Sequence, residues 1–261
     1  MLAAVISGLR SPGFARDLQN WLQACLAHDN ITTLAYFKGS PPTPLITQSR
    51  HPKVHENIND VYLTGAYLLD PFHDLHLRGA AAGVYRLSEI APDQFHRNRY
   101  FLDYYRNTTM VDEIAFVCYP APGVSVHLCL GRDSNSNRRF SAGDIATARR
   151  IAPIVLSLSE SHWQNLAPGQ EHAESDITQN LMAVMKRNLG IALSPRQAEV
   201  AMMILRGHSS VSAGLRLGIS YQTVKVFRKQ IYRKCGISSQ AELFSLMLPM
   251  LGALSPPARN P

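Results

Sequence analysis

Basic side chains recur on one face of a predicted helix near the end of the chain. On a wheel of 100° per residue, this face holds Gln222, Lys225, Val226, Lys229 and Arg233. Lysine can donate hydrogen bonds to guanine O6 and N7 in the major groove, and an apolar Val226 can contact a thymine methyl. Arg228 and Lys234 flank the face at positions where phosphates would lie. The spacing therefore predicts a surface that reads base edges.

The other side of the same helix is apolar. Val224, Phe227, Ile231 and Cys235 fall within about 80° of one another on the wheel. We expect this stripe to pack inward and to leave the basic face open.

Start and stop signals surround this helix. Ser194, Pro195 and Gln197 predict a capping box with proline at the first helical position, and Gly207 predicts the end of that helix. Further starts are predicted at Ser209, Ser220 and Ser239, and further ends at Gly218, at Gly236 and before Pro249. A short helix, a tight turn and a basic helix form a helix-turn-helix, which places its second helix in the major groove.

The charge distribution agrees with this interpretation. Residues 190–261 carry nine Lys or Arg and two Asp or Glu, whereas residues 1–189 carry 17 of each. The whole formal charge of +7 therefore lies in the last quarter of the chain. A neutral body with a compact basic end is typical of a nucleic-acid-binding domain joined to another domain.

Several short segments carry small residues, helix caps and basic residues at characteristic spacings. They are residues 193–200, Gly207, Ser209, and residues 217–220, 223–225, 231–237 and 241–243. Together they resemble the DNA-binding domain of LuxR-type transcription regulators. The resemblance implies that Lys225, Val226 and Lys229 face base edges and that Thr223 and nearby basic residues contact the backbone. It also implies promoter DNA, RNA polymerase and a second copy of the chain as partners.

The chain departs from the pattern of that family at a few positions. Gln197 stands where Glu is usual, Phe227 stands where His is frequent, and Ser212-Ala213-Gly214 replaces Glu-Ile-Ala. A glycine inside a helix costs up to about 1 kcal/mol relative to alanine. The helix that contains Gly214 is therefore predicted to have low intrinsic stability unless packing stabilises it.

The first 164 residues form a second predicted domain. Strands are predicted over 31–37, 83–87, 112–119 and 124–131, and helices over 14–28, 54–69, 92–107 and 140–163. Strands in the middle with helices on both flanks predict a three-layer α-β-α domain of the GAF or PAS kind, and the whole chain is then of the α+β class. Residues 165–176 are predicted to be a linker, and residues 177–189 a helix leading into the DNA-binding domain.

Asp70 is the most informative residue of this first domain. The stretch Tyr62–Phe72, with Asp70 followed by Pro71, resembles the Tyr-x-x-Asp-Pro segment of autoinducer-binding domains in LuxR-type quorum sensors. The resemblance implies that Asp70 accepts a hydrogen bond from the amide of an acyl-homoserine lactone. Tyr85 stands where an indole usually packs on the lactone ring. Asn57 and Val61 replace an upstream Trp/Tyr pair, and Glu113 replaces a usual Gly.

Physical chemistry widens the choice of ligand. A carboxylate in an aromatic pocket requires a partner, because its burial is otherwise costly. Asp70 among Tyr62, Tyr67, Phe72 and Tyr85 would suit an N–H donor or a cation that also interacts with the rings. Tyr104, Tyr105 and Glu113 are further pocket candidates. An amine or amino-acid-like metabolite is therefore an alternative to a lactone, and a turn at Asp70 with purely structural aromatics is a third possibility.

Other kinds of site are less well supported by the sequence. Asp70, His73, Asp74 and His76 lie within seven residues, but their spacing favours solvated loop residues over a metal site, and no cofactor is predicted. The four cysteines lack metal-like spacing, and two of them lie in apolar strands. The N-terminal apolar run is too short for a signal peptide and no segment could span a membrane, which predicts a cytoplasmic protein.

These observations predict a transcription regulator, not an enzyme, with a small-molecule sensor at residues 1–164 and a DNA-binding domain within 177–261. Two alternatives stay open. One is a dimeric regulator that needs no ligand, and the other is an enzyme-like metal-binding domain joined to a DNA-binding domain.

Overall fold

The structure is a computed structural model that describes residues 1–167 and 177–254. A five-stranded antiparallel sheet has the order β2-β1-β5-β4-β3. Its strands are β1 Asn30–Phe37, β2 Ser40–Ser49, β3 Gly83–Arg86, β4 Met110–Ala121 and β5 Val124–Asp133. The α-helices are α1 Leu2–Ser7, α2 Phe14–Cys25, α3 Pro71–Leu77, α4 Leu87–Ile90, α5 Ala142–Trp163, α6 Ile177–Leu189, α7 Pro195–Arg206, α8 Ser210–Leu217, α9 Tyr221–Cys235 and α10 Gln240–Leu254.

Alternation along the strands separates two apolar cores. Ile31, Ala35 and Phe37 of β1 face the core that α2 and α5 cover, whereas Leu34 and Tyr36 face the opposite core. Successive side chains of a strand point to opposite faces, so each strand serves both cores. The three-layer arrangement and the α+β class predicted from the sequence are confirmed, as are β3, the β4–β5 hairpin and the long helix α5.

Two of the predicted helices are wrong. Residues 54–69 and 92–107 form short 3₁₀ and π turns, among them Ile58–Tyr62, Ala66–Leu69, Tyr100–Tyr104 and Tyr105–Thr108. These segments lie over the sheet and bring several tyrosines into one layer, which a straight helix with one inward face could not do. Single π turns are frequent at functional sites.

Two further predictions are wrong at segments that contain proline. The sequence predicted no strand between residues 37 and 83, yet β2 begins at Ser40 and contains three prolines. Because β2 is an edge strand that pairs with β1, the missing proline N–H groups are tolerated there. Helix α10 also continues through Pro249, and its buried Phe244, Met247 and Leu251 pack into the core.

Helices α7, α8 and α9 of the C-terminal domain begin and end where the sequence predicted. Ser194 Oγ accepts from the Gln197 amide in a capping box. Ser209 Oγ caps α8 by accepting from the backbone amide of the third helical residue, and Ser220 Oγ caps α9 in the same way. Gly207, Gly218 and Gly236 follow the helices in the left-handed conformation. Residues 168–176, most of the predicted linker, lie outside the described residues. Within the described part of the chain, no helix is long and apolar enough to cross a membrane.

The close approach of the turn between α8 and α9 explains why residue 214 is a glycine. A Cβ at this position would lie 2.7 Å from the Ile219 carbonyl oxygen and 3.3 Å from the Tyr221 nitrogen. We expect Gly214→Ala to lower the free energy of unfolding by about 1–3 kcal/mol, since the backbone must shift to relieve the overlap. Denaturant titration would measure the loss.

Gly143 provides the matched control. It lies in the first turn of α5, where a Cβ would have its nearest neighbour at 3.7 Å. Gly143→Ala should therefore stabilise the protein by about 0.5–1 kcal/mol. Equal effects of the two substitutions would show that the turn does not require glycine.

Candidate ligand cavity and DNA-reading surface

A cavity lies between the sheet and the layer of short turns. Its empty volume is about 530 Å³, which includes the part of the cleft that is open to solvent. Its lining is a mixture of carboxylates, phenols and apolar groups: Asn30, Thr32, Leu34, Tyr36, Val54, His55, Ile58, Tyr62, Asp70, Phe72, Tyr100, Tyr104, Tyr105, Thr108, Met110, Glu113 and Cys129. Such a concave site with a few polar groups is typical of small-molecule binding.

Asp70 is held firmly at the cavity wall. Its Oδ1 accepts from the Phe72 amide at 2.8 Å and so caps the N-terminus of α3, and its Oδ2 accepts from the Tyr62 hydroxyl at 2.7 Å. Burial raises the pKa of Asp70 to about 6, although hydrogen bonds from Tyr62, Phe72 and Tyr100 oppose the shift. Asp70 is therefore mostly ionised at neutral pH and can receive a further donor.

Glu113 is a second carboxyl group on the same cavity. Its Oε2 accepts from the Tyr105 hydroxyl at 3.2 Å. Burial, reinforced by the charge of Asp70, raises the pKa of Glu113 to about 8, against hydrogen bonds from Tyr105 and Cys129. The cavity thus holds one carboxylate and one mostly protonated carboxylic acid at neutral pH.

Phenols connect these carboxyls to the rest of the wall. The hydroxyls of Tyr36 and Tyr62 lie 2.8 Å apart, and the Tyr62 and Tyr104 rings stack with centroids 5.8 Å apart. Burial, followed by the charge of Asp70, raises the pKa of Tyr36, Tyr62 and Tyr100 well above the ordinary value. These phenols stay protonated and present hydroxyl groups and aromatic faces to the cavity.

Most of the predicted ligand-binding residues meet here, but two do not. Tyr62, Asp70, Phe72, Tyr104, Tyr105 and Glu113 line the cavity. Tyr67 instead packs against His73, with ring centroids 4.9 Å apart, because its 3₁₀ turn directs it away from the cavity. Tyr85 lies on the edge strand β3 and donates its hydroxyl to the Ala81 carbonyl.

The sequence did not single out Tyr36, His55, Tyr100 or Cys129 as cavity residues. For Tyr36 a signal was available, because alternation along β1 places it on the face opposite Ile31. Tyr100 lay within a predicted regular helix, and the observed π turn changes which side chains point inward. No local pattern identified His55 or Cys129.

The sequence predicted that the acidic and histidine-rich stretch after Asp70 is a solvated loop, and this prediction is wrong. It forms α3, on which His73 is buried and His76 Nδ1 lies 2.7 Å from Ser125 Oγ. Burial lowers the pKa of both histidines. In the described ranges, no group of three or more His, Cys, Asp or Glu could hold a metal ion.

Helix α9 presents the predicted basic face to solvent. Gln222, Lys225, Val226, Lys229 and Arg233 are exposed, whereas Val224 and Ile231 are buried. Thr223 is half-buried in the first turn, with its hydroxyl 2.8 Å from Ser220 Oγ. At 15 residues, α9 extends about 22 Å, which suits a major groove.

The two flanking basic residues differ from each other. Arg228 is half-buried and donates to the Tyr232 hydroxyl at 2.9 Å, which fixes it beside the exposed face. Lys234 turns back and donates to the Ala192 carbonyl and to Gln197 Oε1 at 2.8 Å. Lys234 is exposed beside the face, but its ammonium group joins α9 to the start of α7, so a phosphate contact by Lys234 stays a prediction.

The N-terminal and C-terminal domains are joined by an interdomain ion cluster, which consists of Asp74, Arg206 and Arg216. Asp74 Oδ1 lies 3.4 Å from Arg206 Nη1, and Asp74 Oδ2 lies 2.7 Å from Arg216 Nη1. Arg206 also donates to the Leu68 carbonyl. Burial would raise the pKa of Asp74, but the two arginines outweigh burial and hold the pKa below its usual value.

The N-terminal domain also caps the turn between α7 and α8. The Asn98 side chain donates to the Arg206 carbonyl at 3.0 Å, and the Gln94 amide donates to the Gly207 carbonyl at 3.0 Å. Asp93 accepts from the Ser209 amide at 2.9 Å. These bonds satisfy backbone groups that helix ends otherwise leave unpaired.

Comparison with known proteins identifies the class. Residues 192–247 match the family of bacterial regulatory proteins, luxR family. The chain is also 31% identical over 185 residues to a protein from Aeromonas salmonicida that is named as an HTH-type transcriptional regulator in the exeN 3' region. That match covers 69% of this chain and 93% of the relative. The chain belongs to the LuxR family of helix-turn-helix transcription regulators.

A solved structure supports the fold of the N-terminal domain. The LBD domain of VqsR from Pseudomonas aeruginosa superimposes with a TM-score of 0.54 at 25% identity, covering 64% of this chain and 96% of that domain. Escherichia coli SdiA matches over 97% of both chains at 13% identity with a TM-score of 0.38, which is too low for the domain arrangements to be compared.

Proposed function

We propose that this regulator binds a small molecule in the cavity at Asp70 and that binding controls how α9 engages promoter DNA. One observation carries the proposal. Asp70 both lines the cavity and caps α3, and Asp74 of the same helix forms the interdomain ion cluster. A ligand that contacts Asp70 therefore acts on a helix that contacts the C-terminal domain directly.

The first step runs from the cavity to α3. This helix has seven residues, so a change at its N-cap affects most of its length. A ligand donor shares Asp70 with the Phe72 amide and the Tyr62 hydroxyl, both of which already bind it. Binding can therefore shift or stiffen α3 relative to the sheet.

The second step runs from α3 to the DNA-binding surface. Arg206 ends α7 and Arg216 lies in α8, so Asp74 contacts both helices that precede α9. Since Lys225 and Lys229 are exposed in the docked arrangement, the N-terminal domain does not control the reading face by covering it. We infer that it sets the orientation of two reading helices in a homodimer, whose half-sites lie about 34 Å apart.

The effector of this proposal is a molecule with an N–H donor for Asp70. Both classes that the sequence favoured, an acyl-homoserine lactone and an amine or amino-acid-like metabolite, have one. Promoter DNA, a second copy of the chain and RNA polymerase complete the proposed partners.

A thermal-shift screen of the full chain tests the proposal. Lactones, amines, amino acids and small carboxylates are compared on wild type and Asp70→Asn, a variant that keeps a good N-cap residue on α3. A ligand at about 100 times its Kd should stabilise wild type by about 2.7 kcal/mol and the variant much less. The same ligand should change promoter protection in a footprinting assay.

A second candidate function is a dimeric regulator that needs no ligand, because the carboxyl groups of the wall already have protein partners: Asp70 accepts from Tyr62 and Phe72, and Glu113 accepts from Tyr105. In that case no compound would shift the melting temperature, and promoter protection would be the same with and without every compound. That pair of results would contradict ligand control and assign the N-terminal domain to dimerisation.

A further inference from the structure

The two carboxyl groups of the cavity point to the class of its occupant. Resting on the proposed function, we infer that the cavity takes a small primary alkylammonium ion that carries no carboxylate and that shares its N–H groups between Asp70 and Glu113. Glu113 is then the residue that selects a cation over a neutral amide.

Hydrogen-bonding capacity supports this assignment. An ionised carboxylate offers about four lone-pair sites. Asp70 receives the Phe72 amide and the hydroxyls of Tyr62 and Tyr100, and Glu113 receives Tyr105 and Cys129. Each group keeps at least one free acceptor position, and an ammonium brings three donors.

The other groups of the wall argue against an anion. Among the described residues, no lysine or arginine lines the cavity. His55 lies 2.8 Å from Thr32 Oγ1 through its Nε2, and burial lowers its pKa, so it is neutral at neutral pH. An amino-acid carboxylate would therefore meet two acids and no fixed positive charge. The faces of Tyr62 and Tyr104 instead attract a cation.

The volume of the cavity is compatible with a short alkylamine. Its empty space of about 530 Å³, which includes the part open to solvent, lies within the range of small-molecule sites. The charges of the wall, and not its size, therefore select the ligand class, and the carboxyl side chain of Glu113 lines this space.

Binding of a cation should also release a proton. Glu113 is mostly protonated at neutral pH, because burial and the carboxylate of Asp70 raise its pKa to about 8. The groups that face it are Asp70, Tyr105, Cys129 and Asp112. An ammonium beside Glu113 favours its ionised form, so the proton leaves as the ligand enters.

Isothermal titration calorimetry of the full chain tests the inference with n-butylamine, n-butanol, γ-aminobutyrate and N-butanoyl-homoserine lactone. At about pH 7, n-butylammonium should bind, and titrations in two buffers of different ionisation enthalpy should show release of about one proton. Glu113→Gln should weaken this binding about tenfold or more and abolish the release. The surface variant Glu89→Gln should change neither quantity, since Glu89 makes an exposed pair with Arg149.

The remaining outcomes overturn the inference in distinguishable ways. If the lactone or γ-aminobutyrate binds in place of the amine, and Asp70→Asn abolishes that binding, the ligand class is wrong while the proposed sensor function stands. If none of the four probes binds wild type, the alkylammonium site does not exist. If Asp70→Asn and Glu113→Gln leave every isotherm and the promoter footprint unchanged, both proposals fail.

Discussion

Replacing Lys225 and Lys229 together with alanine should abolish sequence-selective DNA binding while the fold stays intact. Both side chains are exposed on α9 and neither makes an ion pair with another described residue. Each specific lysine–guanine contact contributes about 1–3 kcal/mol of discrimination, so loss of two lowers specific affinity by about 1.5 to 4 powers of ten. Footprinting and fluorescence anisotropy on specific and random duplexes would measure the change.

A matched control separates base reading from general charge. Lys186 and Arg187 are exposed in α6, so Lys186→Ala/Arg187→Ala removes the same charge from a different surface. The control should keep the preference for the specific duplex and lose little affinity at any salt concentration. If both double variants protected the promoter as wild type does, the assignment of α9 as the reading helix would be wrong.

The C-terminal domain could be predicted closely because its signals are local. A capping serine, a helical run and a terminating glycine lie within a few residues of each other, and Ser194, Ser209 and Ser220 all cap as expected. The inward stripe of α9 follows from a single helical period. The bend of Lys234 towards Gln197 escaped prediction, since it depends on contact between two helices.

The cavity was harder to predict because it depends on contacts between distant parts of the chain. Asp70 and Glu113 could each be identified, and alternation along β1 indicates the face on which Tyr36 lies, yet Tyr100 could not be placed beside them from sequence spacing. The irregular turns over residues 58–62 and 100–104 pack aromatic rings on the sheet, and tertiary packing outweighed the helical periodicity there. The prediction of small-molecule binding remains a proposal, whereas the lining residues follow directly from the structure.

The interdomain ion cluster could not be foreseen either. Asp74 stood among residues that suggested a metal site or a solvated loop, and its partners lie more than a hundred positions later in the chain. The side chains of Asp74 and Arg206 are only 14% and 10% exposed, which places the pair almost out of solvent. Removing one partner of such a pair leaves the other charge buried and uncompensated.

We therefore expect Asp74→Asn to lower the free energy of unfolding by about 3 kcal/mol. The asparagine oxygen can still accept a hydrogen bond, but it no longer balances the charge of Arg206. Calorimetry should show unfolding at a lower temperature, while the contacts of Asn98, Gln94 and Asp93 still join the two domains. Glu89→Gln breaks an exposed pair, 62% and 51% accessible, and should change stability by less than about 0.5 kcal/mol.

The same variant also tests how the two domains communicate. Asp74 does not line the cavity, so Asp74→Asn should bind the effector in calorimetry with an affinity near that of wild type. Yet the effector should no longer change promoter protection, since the coupling free energy depends on a contact that differs between bound and free states. If the effector still altered DNA binding fully in this variant, α3 would not be the route from cavity to α9. The effector would then have to act by changing how the N-terminal domains pack in a dimer. The contacts of Asn98 and Gln94 with the α7–α8 turn would transmit that change to the DNA-binding helices.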